Sequence, residues 1–206
     1  QMTLEVSGIR KSYRRKRILE DVSLTAKKGE CIGILGVNGC GKSTLLSILA
    51  GVQKADGGSF LFEGKNLFED SALRASAVGY VPQGNSLIEE LTAWDNLRIW
   101  YGKKALLREL SEGVLSILGI REFLKVPVCK MSGGMKKRLS IGCAVSCSPR
   151  ILLLDEPSAA LDLVCKESVY NYLNHFKSQG GMALLATHDL QEVELCDRLY
   201  IMKSGL

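Results

Sequence analysis

Apolar residues fall along this chain in two rhythms: short runs bounded by glycine or charge, and longer stretches with one apolar side. Residues 4 to 35 read as short strands, TLEVSG, ILEDVSLTA and CIGIL, with Lys28-Gly29 as turn punctuation. Further strand-like runs are SFLF (59–62), VGYV (78–81), ILLLD (151–155), MALLAT (182–187) and RLYIM (198–202). Continuous apolar runs of this sort suit parallel strands covered on both faces. Lys42 to Ala50 carries Leu45, Leu46, Ile48 and Leu49, apolar nearly all round, which predicts a buried helix. Between Leu87 and Cys147 the character turns helical, and Leu107, Leu110, Val114, Ile117 and Leu118 form a one-sided stripe. A second stripe, Val169, Tyr172, Leu173 and Phe176, lies on a helix linking two late strands. The pattern predicts an α/β fold with a parallel sheet, an antiparallel β edge at the front and a helical insertion.

Composition narrows this picture only slightly. A chain of 206 residues with 46% hydrophobic and 24% charged positions is globular, neither disordered nor fibrous, and most simply one domain. No apolar run approaches the roughly 20 residues that span a bilayer, and the start lacks a signal-peptide core. The expected place is the cytosol, or the cytosolic face of a membrane reached through a partner. Gln1 ahead of Met2 reads as a cloning remnant.

Seven cysteines are scattered as an odd set, and Cys143 and Cys147 would share a face if both were helical. No third ligand stands at metal spacing, so small core thiols in a reducing compartment are the expectation. Six basic residues crowd Arg10 to Arg17, namely Arg10, Lys11, Arg14, Arg15, Lys16 and Arg17. Without interleaved aromatics they read as a solvated hairpin beside an anionic ligand, and no nucleic acid is expected.

The candidate chemistry begins at Gly36, where GVNGCGKST fits GxxxxGK[ST] between the strand CIGIL and the predicted helix. The loop comprises Gly36, Val37, Asn38, Gly39, Cys40, Gly41, Lys42, Ser43 and Thr44. Glycines at 36, 39 and 41 are expected to allow positive φ and turn N–H groups onto phosphate oxygens. The helix N-terminus adds positive potential. Lys42 should reach the β- and γ-phosphates, and Ser43 should place its hydroxyl on Mg²⁺. A second acidic element, ILLLDEP, ends a buried strand with Asp155 for the Mg²⁺ shell and Glu156 to polarise an attacking water.

These residues resemble the nucleotide-binding domain of an ATP-binding cassette (ABC) ATPase over nearly the whole chain. The diagnostic piece is MSGGMKKR at 131–138, similar to the family signature LSGGQ, placed about 20 residues before ILLLDEP as in the family. The resemblance implies a P-loop NTPase fold with a parallel core sheet, an N-terminal antiparallel β subdomain and an inserted α-helical subdomain. It divides residues 1–206 into a core (1–86 and 148–206) and a helical part (87–147).

It also implies that two copies pair head to tail. Ser132, Gly133 and Gly134 of one would then face the γ-phosphate held by the other. By the same resemblance Tyr13 stacks on adenine and Gln83 touches Mg²⁺ and relays to the helical part. Asp162 lies in the loop that crosses the dimer interface, and also fits a helix N-cap. His188 is the switch histidine at the γ-phosphate. Two positions depart from the signature, Met131 for Leu and Met135 for Gln, so the glutamine amide of the family motif is missing here. The chain stops at MKSGL, before the terminal strands or regulatory extension of many relatives.

The implied activity is ATP hydrolysis with Mg²⁺, driving a separate integral-membrane permease subunit. A soluble ABC ATPase acting on nucleic acid or the ribosome is the alternative. Only 90 positions separate Lys42 from Ser132 (132 − 42), leaving no room for the long coiled coil of the DNA-repair members. SLIEELTAWDNLRIWYG and the signature methionine resemble bacterial exporters, so export is the expected direction.

Overall fold

The computed structural model describes residues 3–203; Gln1 and the end of MKSGL lie outside the described residues. The chain divides into two compact units. The first comprises residues 1–82, 147–156 and 176–206, and the second 83–146 and 157–175.

In the first unit, β1 (Thr3–Tyr13) and β2 (Lys16–Lys27) form a long antiparallel hairpin. Its two-residue turn, Arg14-Arg15, carries the middle of the basic run. Arg10 and Arg14 to Arg17 are exposed as the sequence predicts, whereas Lys11 is half-buried and donates to the Lys54 carbonyl. Leu4, Val6 and Ile9 of β1 are buried at near-alternate positions, as expected of a strand with one covered face. With β4 (Gly57–Phe62) and β5 (Lys65–Asn66) the hairpin makes an antiparallel sheet in the order β2-β1-β4-β5. SFLF therefore belongs here and not to the parallel sheet.

The parallel sheet has the order β6-β7-β8-β3-β9. Its strands are β3 (Cys31–Leu35), β6 (Val78–Val81), β7 (Ile151–Asp155), β8 (Met182–Thr187) and β9 (Arg198–Ile201). Every residue of β7 and β8 is buried, which explains their unbroken apolar runs. RLYIM does not follow that rule. As β9 it has β3 on one side, and Leu199 and Ile201 are exposed. Helix α1 (Lys42–Leu49) packs on β7 and β8, and its Leu45, Leu46, Ile48 and Leu49 are fully buried. Each such leucine or isoleucine contributes on the order of 2 kcal/mol over an exposed one. α2 (Ser71–Ala77) leads into β6, capped by the Asp70 carboxylate, which accepts from Leu73 N–H at 2.9 Å.

The second unit is helical, with α3 (Ala93–Trp100), α4 (Lys103–Glu112), α5 (Val114–Ile117) and α6 (Gly133–Ala144). Thr92 and Asp95 close a capping box on α3. The stripe expected from Leu107 to Leu118 is not one face. Gly113 is extended (φ −105°, ψ −156°) and ends α4, so the phase restarts in α5. Leu106, Leu110, Leu115 and Leu118 are buried, and Leu107 is exposed. Glu109 accepts from Val114 N–H at 3.0 Å, so the side chain before the break caps the helix after it. The second stripe is as expected: Val169, Tyr172, Leu173 and Phe176 of α7 (Leu163–Ser178) are all buried. A four-residue helix α8 (Leu190–Val193) follows β8 in the first unit.

Candidate active site

The carboxyl ends of three neighbouring parallel strands carry the candidate chemistry of the first unit. Leu35 pairs with Thr187, and Asp155 with Ala186, so β3, β8 and β7 end on one edge. Loops leaving such an edge are where open α/β sheets bind ligands. From β3 leaves the phosphate loop, from β7 Asp155 and Glu156, and from β8 His188.

The loop glycines do two different jobs. Gly39 (φ 86°) and Gly41 (φ 102°) occupy the left-handed region. Gly36 has no positive φ, contrary to expectation. It is small because a Cβ there would overlap Cys40 Sγ and lie 3.0 Å from the Met202 carbonyl oxygen. Gly41 meets both demands, since its Cβ would fall 2.8 Å from Leu19 Cδ2. Val37 and Asn38 are exposed, whereas Cys40 is buried and its N–H donates to the Val37 carbonyl at 3.1 Å. Lys42 is buried, and its ammonium donates to the carbonyls of Gly36 and Val37 (3.2 Å to the latter). Gly41 caps α1 with no side-chain hydrogen bond, so its first-turn N–H groups have no side-chain cap. An anion fits that end, cradled by N–H dipoles with one ammonium beside it.

Ser43 is exposed at the first turn of α1, Thr44 is half-buried, and Asp155 is almost fully buried at the end of β7. The Asp155 carboxylate raises the pKa of the Tyr80 phenol, second to burial of that phenol. A hydroxyl and a carboxylate are hard oxygen donors, the set that suits Mg²⁺ over softer metals.

Glu156 adopts a left-handed backbone (φ 47°), a strain of about 1–3 kcal/mol for a non-glycine residue. Two bonds hold it there. Its N–H donates to the Ala186 carbonyl at 2.8 Å, and its Oε1 accepts from His188 Nδ1. With a carboxylate as partner, Nδ1 carries the proton, and Nε2 of the half-exposed ring is an acceptor while the ring is neutral. Tyr13 is half-exposed at the tip of β1. Its hydroxyl donates to Gln53 Oε1, Gln53 Nε2 donates to Ser47 Oγ on α1, and the Lys11 ammonium sits 5.3 Å over its ring. Gln53 and Ser47 carry no spacing signal, and Lys11 stood out only as a member of the basic run.

In the second unit Ser132 is the N-cap of α6, its Oγ accepting from Met135 N–H at 3.2 Å. Gly133 is exposed, with open space where a Cβ would be. At Gly134 a Cβ would overlap Cys165 Sγ and lie 2.8 Å from Cys165 Cβ. Cys165 follows Asp162, whose carboxylate accepts from Cys165 N–H at 2.8 Å and caps α7. That bond, with a smaller push from Arg138, holds the Asp162 carboxyl below the usual carboxylate range. Gln83 is exposed, and its carbonyl accepts from Lys137 of α6 at 3.2 Å. Met131 is buried and Met135 half-buried. The signature, the Gln83 segment and Asp162 therefore share one unit. Cys165 and Lys137, which bind them together, were not legible beforehand.

The cysteines follow the core expectation in part. Cys31, Cys40 and Cys165 are buried, but Cys129 and Cys147 are exposed. Helix α6 ends at Ala144, so Cys143 and Cys147 share no helical face. Among the described residues no metal-binding cluster of His, Cys, Asp or Glu appears.

The family model described as ABC transporter matches residues 19–159, which takes in the phosphate loop, the signature and ILLLDEP. The chain belongs to this family. Its structural neighbours fix the architecture as a P-loop NTPase of ABC type. One is titled as the ATP-binding subunit of an ABC transporter, with a TM-score of 0.87, 28% identity, and 98% of this chain and 86% of that one covered. Another is a dimeric ATP-binding cassette in a post-hydrolysis state bound to ADP and Pi, with a TM-score of 0.86 and 27% identity, covering 98% and 95%.

Among sequence relatives, Nod factor export ATP-binding protein I of Sinorhizobium fredii is 35% identical, over 99% of this ABC chain and 61% of the relative. The linearmycin resistance ATP-binding protein of Bacillus subtilis is 34% identical, over 98% and 67%. A sulfate/thiosulfate import ATP-binding protein of Bordetella bronchiseptica is also 34% identical, over 99% and 60%. The chain thus spans about 60–67% of the length of these curated relatives. No described helix is long and apolar enough to cross a membrane.

Proposed function

We propose that this chain is the ATP-binding and ATP-hydrolysing part of a membrane transporter, acting from the cytoplasmic face through a separate integral-membrane subunit. The observation that carries the reading is the Glu156–His188 hydrogen bond on the strand edge that also holds the phosphate loop. A binding module without turnover has no use for a strained carboxylate held by an imidazole. Glu156 takes the proton of an attacking water, and His188 orients Glu156 and presents Nε2 toward the reacting phosphate. Lys42 and the N–H groups of residues 36–44 hold the β- and γ-phosphates, and Tyr13 stacks on the adenine. Ser43 and Asp155 would hold Mg²⁺, with Gln83 as the further ligand the family resemblance implies, and the ion would supply charge neutralisation on the phosphates.

Ser132, Gly133 and Gly134 complete the site of a second, head-to-tail copy or paired ABC domain. Their open, capped helix end supports this, as does the dimeric cassette to which the chain is similar. We read the whole as one ABC ATPase domain, with 1–86 and 148–206 as core and 87–147 as helical part by the family resemblance, although 83–86 and 157–175 cluster with the helical unit. Export is the direction we favour, on the name of the Sinorhizobium relative, with the Bordetella importer against it.

Glu156→Gln is the direct test. ATP should still bind, turnover should collapse, and ATP-trapped dimers should accumulate; unchanged turnover would remove Glu156 from this role. For the wider reading, a multi-span membrane protein should co-purify with the native chain. Co-purifying ribosomes or DNA would instead support the soluble alternative.

A further inference from the structure

Away from the strand edge just described, two thiols of the first unit lie in contact. Cys31, buried at the start of β3, and Cys196, half-buried after α8, have their sulfurs 3.8 Å apart. We propose that Cys31 and Cys196 form a reversible internal disulfide when the protein meets a two-electron oxidant such as a peroxide, making this pair a redox modification site.

Three features of the packing support it. First, the two residues are brought together by the fold, since Cys31 N–H donates to Asp197 Oδ2 and Asp197 N–H to the Cys31 carbonyl, both at 2.8 Å. The neighbours of one sulfur are thereby fixed to the neighbours of the other. Second, room exists for the movement. A disulfide needs sulfurs about 2 Å apart, so they must approach by less than their present separation. Cys196 Sγ sits over Gly33, where a Cβ would come within 2.8 Å of it, so the glycine keeps that space open on the sheet face. Cys196 lies in the short link between α8 and β9, and the further contact of its thiol, to the Glu192 carbonyl, is long at 3.5 Å.

Third, the pair is chemically asymmetric. The Cys31 thiol donates to Cys196 sulfur, which lowers the pKa of Cys196 and raises that of Cys31. The Lys177 ammonium also favours a Cys196 thiolate, while burial and the carboxylates of Glu192 and Asp197 oppose it. Lys177 is held in place by an ion pair to Asp197 at 2.9 Å. The more acidic sulfur is thus also the more accessible one.

The chemistry balances in two steps. Cys196 thiolate attacks one peroxide oxygen, giving Cys196 sulfenic acid and hydroxide. The Cys31 thiol then attacks the sulfenic sulfur, the S–O bond breaks, and water leaves as the S–S bond forms. Two thiols are oxidised and one peroxide is reduced. The bond would join β3, which leads into the phosphate loop, to the segment running on from His188 through α8. In a reducing compartment such a bond is transient.

The test is peptide mapping of the unsubstituted chain after brief hydrogen peroxide treatment, with free thiols then blocked by alkylation. The expected result is a tryptic pair joined through Cys31 and Cys196, with the free-thiol count falling from seven by the two that are joined. Dithiothreitol should restore all of them. Cys196→Ser should abolish the joined pair, and Cys31→Ser should leave Cys196 as a trappable sulfenic acid. Cys143, whose pKa burial pushes up to about 12, should stay reduced throughout. Oxidation confined to the exposed Cys129 and Cys147, or Cys196 passing to sulfinic acid beside an unreacted Cys31, would overturn the proposal. Neither readout depends on ATP turnover, so the outcome is separate from that of the proposed function.

Discussion

Two helix starts in this molecule are built from nearly the same words, glycine and serine, yet they are finished differently. At α1 the N-cap is Gly41, no side chain caps the first turn, and a buried lysine lies against the loop. At α6 the N-cap is Ser132, whose hydroxyl accepts from Met135 N–H. The first end leaves its N–H donors without a side-chain cap beside an ammonium held on the Gly36 and Val37 carbonyls, an arrangement that suits a phosphate on its own. The second has one of its first-turn donors capped by Ser132 and an open surface at Gly133, which suits it to add to a phosphate held elsewhere. In the proposed site the first half would act as a receptor and the second as a lid carried by a different copy.

The largest way to break this contrast is at the receptor end. Lys42→Ala should remove detectable ATP binding, read by equilibrium dialysis or fluorescent-nucleotide titration, because the ammonium is the one buried side-chain charge of the loop. Glu156→Gln comes next, with turnover falling by about 10²–10⁴-fold while the ATP Kd changes little. Rapid-quench and binding measurements on the same sample separate the two effects.

The lid end should respond through two different glycines. Gly134→Ala should destabilise the chain by about 1–3 kcal/mol in urea unfolding, since its Cβ has no room against Cys165. Pairing it with Cys165→Gly should recover much of that loss. Gly133→Ala should stay within about 0.5 kcal/mol of the parent in stability, yet lower turnover by narrowing the open approach. Ser132→Ala should cost about 1 kcal/mol through the lost cap and reduce turnover as well.

The smallest effect is expected at Gln53→Leu, which frees the Tyr13 hydroxyl. It should raise KM for ATP a few-fold at unchanged kcat, and Tyr13→Phe should abolish that difference in a double-mutant cycle.

Much of this contrast was legible in the sequence, for identifiable reasons. The spacing GxxxxGK[ST] is dictated by the size of a phosphate, and the buried runs ILLLD and MALLAT by coverage on both faces, so neither depends on distant partners. The resemblance to the ABC family correctly anticipated the membership, the two sheets and the helical insertion. Local spacing could not show contacts that arise only on folding. Gly36 and Gly134 look like turn glycines, but both are small because a sulfur, Cys40 or Cys165, packs against them. The stripe from Leu107 failed because Gly113 resets the helix phase, and periodicity cannot see a break it runs across. RLYIM reads as a buried strand, but among the described residues β9 pairs with β3 alone.

The central claim, that receptor and lid belong to different copies, is tested most directly by mixing two inactive variants. Lys42→Ala keeps the lid and loses the receptor, whereas Ser132→Arg keeps the receptor and blocks the lid. In a head-to-tail pair of one with the other, a single site is whole. An equal mixture should regain about a quarter of parental ATPase activity on random pairing. A mixture as inactive as either variant alone, under conditions where mixed dimers form, would contradict the account.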